Sequence, residues 1–364
     1  MKKRFLMIFS KLIIITGLSF IVSGRNDILL VNAASDDKAV SEGINSMDPP
    51  NDSSEVVELE PCDYPHYYYR MVEEYIAKVN AEYEAIGDHG FAFCFVTDQH
   101  IEHNSGYTSS IIRDICNSTP LKFVLNGGDF FNRDKTWEGG IAKLDECISR
   151  FDFLEVPIFT TLGNHDLNES YNSSHPDAYL TMEDFYNHAM SQMEQVTFYD
   201  QDNGKYHYYY YDQDTNTYLI CLQTGGSITD SKSTSFLKED ALVLQDLLPT
   251  LDGNIIIFTH QLNKLDSEYT HNNSWNRLAK IIKASGSTDK VKLIVSGHTH
   301  VDLSDDTEGL LHVVTTTNSH KYYDETVGTK DELAFDTFFV DYEKGTVKVL
   351  RFGRGEDRSF DIPE

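Results

Sequence analysis

The run Phe91-Ala92-Phe93-Cys94-Phe95-Val96-Thr97-Asp98-Gln99-His100 decides the reading of this chain, because a strand-like apolar segment ends abruptly on an Asp-x-His pair. The same punctuation recurs four times. Lys122–Leu125 leads to Gly128-Asp129, and Pro157–Leu162 to Gly163-Asn164-His165-Asp166. Asn254–Thr259 ends on His260, and Val291–Val295 on Gly297-His298-Thr299-His300. Leaving Gln99 aside, these ends together offer three carboxylates, one amide and five imidazoles. Hard-to-borderline divalent metals take such nitrogen and oxygen donors. In open α/β sheets, loops from several strands converge beyond the carboxyl ends, so residues distant in sequence can meet there. Five clusters of this kind point to two metals held side by side and to hydrolytic chemistry.

Helical stripes separate the strands. Val72, Tyr75, Ile76, Val79, Tyr83 and Ile86 share one helical face as the domain opens. Ile141, Leu144, Ile148 and Phe151 form a second stripe, Leu237, Ala241, Leu244 and Leu248 a third, and Trp275, Leu278 and Ile281 a fourth. Strands alternating with helices imply βα units and a largely parallel sheet. Lys205–Thr224 reads as two strands around Asp212–Asn216, and Phe335–Phe352 as a hairpin turning at Glu343-Lys344-Gly345. These antiparallel pieces predict a second sheet packed on the first, in a single mixed α/β domain over residues 63–364. Alternation along a half-buried strand accounts for the tyrosines at 208–211 better than a binding platform does.

The N-terminus starts Met1-Lys2-Lys3-Arg4, runs apolar from Leu12 to Val22 and carries a small-residue site at Val31-Asn32-Ala33. That pattern predicts a secretory signal over 1–33 and a protein that is secreted or on the cell surface. The apolar run is too short for a membrane span, so no stable span is expected after signal removal. Residues 34–62 are polar and acidic, with Asp48-Pro49-Pro50-Asn51-Asp52, and read as a disordered linker. The formal charge of −28, with no basic run beyond the first residues, argues against an extended nucleic-acid partner. The five cysteines lack CxxC spacing and receive no catalytic or metal role, with a Cys116–Cys147 bridge left open.

Asp98 and His100, two residues apart, can reach one metal, and a carboxylate at Asp129 can bridge two. Asn164 adds a neutral oxygen, and His260, His298 and His300 add imidazoles. Taken in this order, DxH, GD, GNHD, a lone His after a strand and GHTH resemble the calcineurin-like metallophosphoesterases over about residues 90–318. The resemblance implies a four-layer α/β/β/α sandwich of two mixed sheets and a dinuclear centre of divalent or trivalent ions, Mn, Fe or Zn. It assigns Asp98, His100, Asp129 and His300 to one metal, and Asp129, Asn164, His260 and His298 to the other. His165 would then face the substrate as the catalytic side chain. The reaction implied is phosphomonoester or phosphodiester hydrolysis by direct attack of metal-bound hydroxide.

One departure concerns the GD motif, which in many relatives continues GDxxDR, the second Asp orienting the GNHD histidine. Here Asn132 takes that place, and an amide would raise the pKa of His165 less than a carboxylate does. Arg133 matches the pattern and is a candidate phosphate contact. Asn132 and His320, the latter just beyond the Leu311–Thr317 strand, are candidate substrate contacts at the rim. The arginines of Arg351–Arg358 read either as guanidiniums for an anionic substrate or as a solvated tail. The insert Asp166–Tyr199 is expected to cover the pocket. A small phosphorylated substrate fits the acidic surface best. The competing readings are a metal-stabilised scaffold without turnover and, more weakly, a nuclease.

Overall fold

The computed structural model describes residues 64–363, apart from 104–105, 170–171, 202–203, 225–237, 263–273 and 321–322. All of them fall in one compact unit, Leu59–Glu364. The leader and the acidic linker lie outside the described residues, as do Cys62 and Leu237.

Two mixed sheets carry the architecture. In spatial order the first runs Arg358–Asp361 (β13), Thr346–Gly353 (β12), Ala334–Asp341 (β11), Gly90–Val96 (β1), Val124–Asn126 (β2) and Ile158–Thr160 (β3). Strands β1, β2 and β3 are parallel, and β11, β12 and β13 extend the sheet antiparallel. The second runs Val196–Phe198 (β4), Tyr208–Asp212 (β5), Thr217–Leu222 (β6), Asn254–Thr259 (β7), Val291–Ser296 (β8), His312–Val314 (β10) and Leu303–Asp305 (β9). Here β6, β7, β8 and β10 are parallel, with antiparallel strands at both edges.

Side-chain alternation builds the layers, since successive residues of a strand face opposite sides. Phe91, Phe93 and Phe95 of β1, with Phe338 and Val340 of β11, meet Leu219, Cys221, Ile256, Phe258, Leu293 and Val295 in the seam between the sheets. The intervening Ala92, Cys94 and Val96 face outward. They pack under the helices His66–Ile86 (α1) and Thr108–Ser118 (α2), through Val72, Val79, Ile111 and Ile115. On the other side Ile220, Ile255, Ile257 and Ile294 lie under Lys238–Leu247 (α5) and Ser274–Ala284 (α6), through Leu244, Trp275, Leu278 and Ile282. Three apolar seams separate four layers, an α/β/β/α sandwich. Between the two helix pairs in sequence comes Trp137–Ser149 (α3), which closes the central seam with Ile141, Leu144 and Cys147 and is followed by the short α4 (Met182–Phe185).

Several sequence expectations take a different form here. Cys116 and Cys147 are both buried and free, in different apolar seams, so no bridge joins them. The arginines near the C-terminus are neither solvated nor aimed at a ligand. Arg351 is buried and donates to Asp336 Oδ1 at 2.8 Å and to Asp302 Oδ1 at 2.7 Å, and Arg358 pairs with the same two carboxylates. A buried guanidinium needs such carboxylates. Tyr208 is buried and bonded to Thr160 O, while Tyr211 is exposed, so these tyrosines follow strand alternation. Among the described residues no helix is long and apolar enough to cross a membrane.

The central seam gives a direct test. Phe93 is fully buried and stacks on Phe338 with ring centroids 5.2 Å apart. Phe93→Ala should lose about 3–5 kcal/mol in denaturant unfolding. A loss below about 1 kcal/mol would mean that the seam is not packed as described.

Candidate metal centre

All five loops that carry the donor residues leave carboxyl ends of parallel strands: β1, β2 and β3 in one sheet, β7 and β8 in the other. The two sheets face each other, so the five ends meet above the central seam.

The loops are bonded to one another. His165 N–H donates to Asp129 Oδ1 at 2.9 Å. In return, Asp166 accepts Asp129 N–H at 3.0 Å and Gly163 N–H at 2.7 Å on one oxygen, and Phe130 N–H at 2.7 Å on the other. Across the seam, His298 N–H donates to Asp98 Oδ2 at 2.8 Å, and His260 Nδ1–H reaches Gly127 O at 2.7 Å. The latter bond turns His260 Nε2 toward the centre and fixes its tautomer. Two motif glycines follow from this crowding. A Cβ on Gly163 would overlap Asp129, and one on Gly297 would overlap Thr97 and Asp98.

Two groups of donors result. Asp98, His100, Asp129 and His300 each place a ligand atom within 4.8 Å of the others, and so do Asp129, His260 and His298. Asn164 Oδ1 joins the second group, 3.1 Å from His260 Nε2. Asp129 Oδ2 lies 3.8 Å from His100 Nε2 and 3.4 Å from His260 Nε2, which makes it the shared member. His100 Nε2 and His300 Nε2 converge at 3.3 Å, and Asp98 Oδ1, fully buried, lies 3.2 Å from His300 Nε2 and makes no hydrogen bond among the described residues. Converging imidazole nitrogens around a buried carboxylate oxygen that makes no hydrogen bond are what a cation would reconcile. The donor set therefore fits two metal ions, and its hard and borderline atoms suit Mn, Fe or Zn.

The backbone is held under strain to do this. Asp98 (φ 53°), His100 (42°), Asp129 (54°), His298 (70°) and His300 (61°) all occupy the left-handed region. For residues other than glycine this costs on the order of 1–3 kcal/mol each and persists where surrounding bonds enforce it.

Electrostatics without metal centre on His260. Burial works against its charged form, but Asp129 and Asp98 outweigh burial and lift its pKa to about 10. Burial likewise opposes ionisation of Asp98 and Asp129, yet His260 beside them holds both carboxyls below the usual range. Burial lowers His100 to about 4 and His298 to about 3, and it raises Asp166 to about 7 with Asp129 adding to the effect.

A cavity of about 620 Å³ opens on the donors, lined by Asp129, Asn164, His165, His298 and His300 together with Asn132, Arg133, Thr299, Val301 and Tyr323. His165 Nδ1 lies 2.7 Å from the main-chain carbonyl of Asn132. The histidine is thus oriented by the backbone carbonyl at position 132. Asn132 and Arg133 line the cavity. His320 does not: its Nδ1 faces Glu332 at 4.0 Å, and Tyr323 forms the wall instead, with the Arg354 guanidinium over its ring. Among the described residues of the Asp166–Tyr199 insert, none lines this cavity. Asp166, counted among the donors in the sequence, serves as the clasp between loops. A third group, Asp200, His207 and Asp240, is buried elsewhere. There Gln223 N–H donates to His207 Nδ1, so the imidazole proton sits on Nε2, which lies 3.5 Å from Asp240 Oδ1 without hydrogen-bond geometry, and with Nδ1 occupied and Nε2 protonated the ring offers no lone pair to a metal.

Comparison with known proteins gives the same frame. The calcineurin-like phosphoesterase family model matches residues 91–302. Among solved structures, a dimetal phosphatase from Danio rerio superposes with a TM-score of 0.54 at 15% identity, over 75% of this chain and 99% of that one. GAP50, the anchor in the inner membrane complex of Plasmodium, gives 0.46 at 14%, over 75% and 89%. A putative 5′-nucleotidase from Staphylococcus aureus gives 0.41 at 12%, over 76% and 55%. No curated protein matches the sequence.

A metal-free imidazolium at His260 is testable. Its folded pKa is above the ordinary value of about 6.5, so its stabilising effect is complete below about pH 6.5 and fades as the pH rises through about 10. Metal binding needs the neutral ring and must displace that proton. Imidazole NMR of the metal-free protein, assigned with His260→Gln, should show His260 still charged at about pH 8 and neutral once Zn²⁺ is added. A metal-free midpoint below about pH 7 would contradict this.

Proposed function

This chain belongs to the calcineurin-like phosphoesterase family, and from that premise we propose that it is an exported hydrolase for phosphomonoester or phosphodiester bonds of a small anionic substrate. The observation that carries the reading is the pair of donor groups sharing Asp129 at the floor of a cavity walled by His165 and Arg133. Two cations bound there would lower the pKa of a water and neutralise charge developing on a phosphoryl group.

The remaining chemistry falls to the side chains. Asp129 holds the two donor groups together. His165, with Nδ1 directed to the Asn132 carbonyl, exchanges its proton through Nε2 and so can donate to a departing alkoxide. Arg133 offers a guanidinium fork to phosphoryl oxygens. The acidic surface repels polyanions and leaves attraction to the cations and Arg133, which favours a small substrate over nucleic acid. Export is supported by the basic start, apolar run and small-residue site of residues 1–33.

The test is metal-replete activity on monoester and diester aryl phosphates. Turnover of at least one class should depend on added metal. His165→Asn should lower kcat by about 10²–10⁴-fold on a poor leaving group such as phenyl phosphate, and by much less on p-nitrophenyl phosphate. Equal losses on both would remove leaving-group protonation from His165. Absence of metal-dependent turnover on either class would sink the hydrolase reading.

A further inference from the structure

Arg133 lines two cavities. One is the metal cavity; the other, of about 430 Å³, is lined also by Asp134, Lys135, Lys143, Asn172, Ser174 and His175. In a chain of formal charge −28, a cavity with three basic side chains and one carboxylate, Asp134, runs against the average surface. Lys143 is neutralised by Glu102 at 2.6 Å and Asp134 at 3.4 Å. Lys135 is exposed and, among the described residues, ion-paired with none. The walls are built in advance. Asn168 and Asn172, both buried, hold the loop that carries Arg133 and Lys135: Asp134 N–H donates to Asn168 Oδ1 at 2.6 Å, and Asn172 Nδ2 donates to Asp134 O at 2.7 Å. Fixed walls remove ordering costs from binding.

We propose that this second cavity binds a second anionic group of the substrate, a phosphate or a carboxylate, at the end remote from the scissile ester. Arg133 stands at the border and serves both ends, and Lys135 supplies charge to the remote end alone. The substrate class is then a small organic phosphate that is anionic at both ends. This rests on the reading of the metal cavity as the phosphoester site. It also explains how a strongly acidic chain would select a multiply charged small molecule: two local basic positions are set beside the cations, while the surrounding surface excludes polymers.

The test uses probes that cannot be hydrolysed. Alkylphosphonates, α,ω-alkylene bisphosphonates and ω-phosphonocarboxylates of increasing chain length are titrated calorimetrically into the metal-replete protein at low salt. At one chain length the doubly anionic probe should bind about tenfold or more tightly than its alkylphosphonate, the scale of one charge-assisted contact. Lys135→Ala should cut that ratio to about twofold or less, and Lys135→Glu should bring it below one. Whichever of the two series binds better identifies the remote group as phosphate or carboxylate. Equal affinities of wild type for singly and doubly anionic probes would overturn the proposal, and so would a preference that survives both substitutions. A wild type that shows the preference but hydrolyses no ester would overturn the phosphoester reading and leave the cavity assignment standing. Hydrolysis without the preference would do the reverse.

Discussion

Reciprocal bonding between two loops is the constraint on which this site depends. The Asp129 carboxylate accepts the His165 amide, and the Asp166 carboxylate accepts the Asp129, Phe130 and Gly163 amides. Each loop therefore satisfies buried donors of the other, and neither can move alone without leaving polar groups unpaired in a desolvated setting. A second exchange ties the sheets, through Asp98 to His298 and His260 to Gly127. These bonds hold five residues in left-handed backbone conformations that the chain would otherwise leave. The strain is local and the compensation lies in the surrounding bonds, which is the usual arrangement at functional sites.

Packing and chemistry are joined at the strand ends. Phenylalanines on one face of β1 build the seam between the sheets, and the same strand delivers Asp98 and His100 two and four residues past its last residue, Val96. Because both sheets contribute parallel strands, their carboxyl ends open on the same side of the seam and the donors converge. The result is a buried cluster of carboxylates and imidazoles that, in the absence of metal, shares the charge of His260. Cations in its place would satisfy the Asp98 oxygen that makes no hydrogen bond and release the proton.

Much of this was legible in the sequence, because both strand alternation and donor type are local properties. Asn254–Thr259 reads directly as β7, and Phe91–Thr97 differs from β1 by one residue at each end. The donor residues stand out since each follows an apolar run. What was hidden depends on three-dimensional neighbours. The partner of His165 at position 132 is a carbonyl, which no side-chain motif can reveal. Asp166 looks like any other carboxylate in the GNHD run until its three amide donors are seen. Arg351 and Arg358 sit in a polar stretch that resembles a tail, yet their carboxylate partners Asp302 and Asp336 come from segments far away in sequence or across the sheet. Tyr323 and the cavity beside Lys135 left no periodic signal at all.

One carboxylate, Asp129, belongs to both groups of candidate metal-binding side chains. Metal content after equilibrium dialysis against Mn²⁺ or Zn²⁺ tests this most directly. Wild type should retain about two ions per chain, His300→Ala about one, and Asp129→Ala fewer than about one. Two ions retained by a folded Asp129→Ala variant would contradict the account, as would a wild type that never binds more than one.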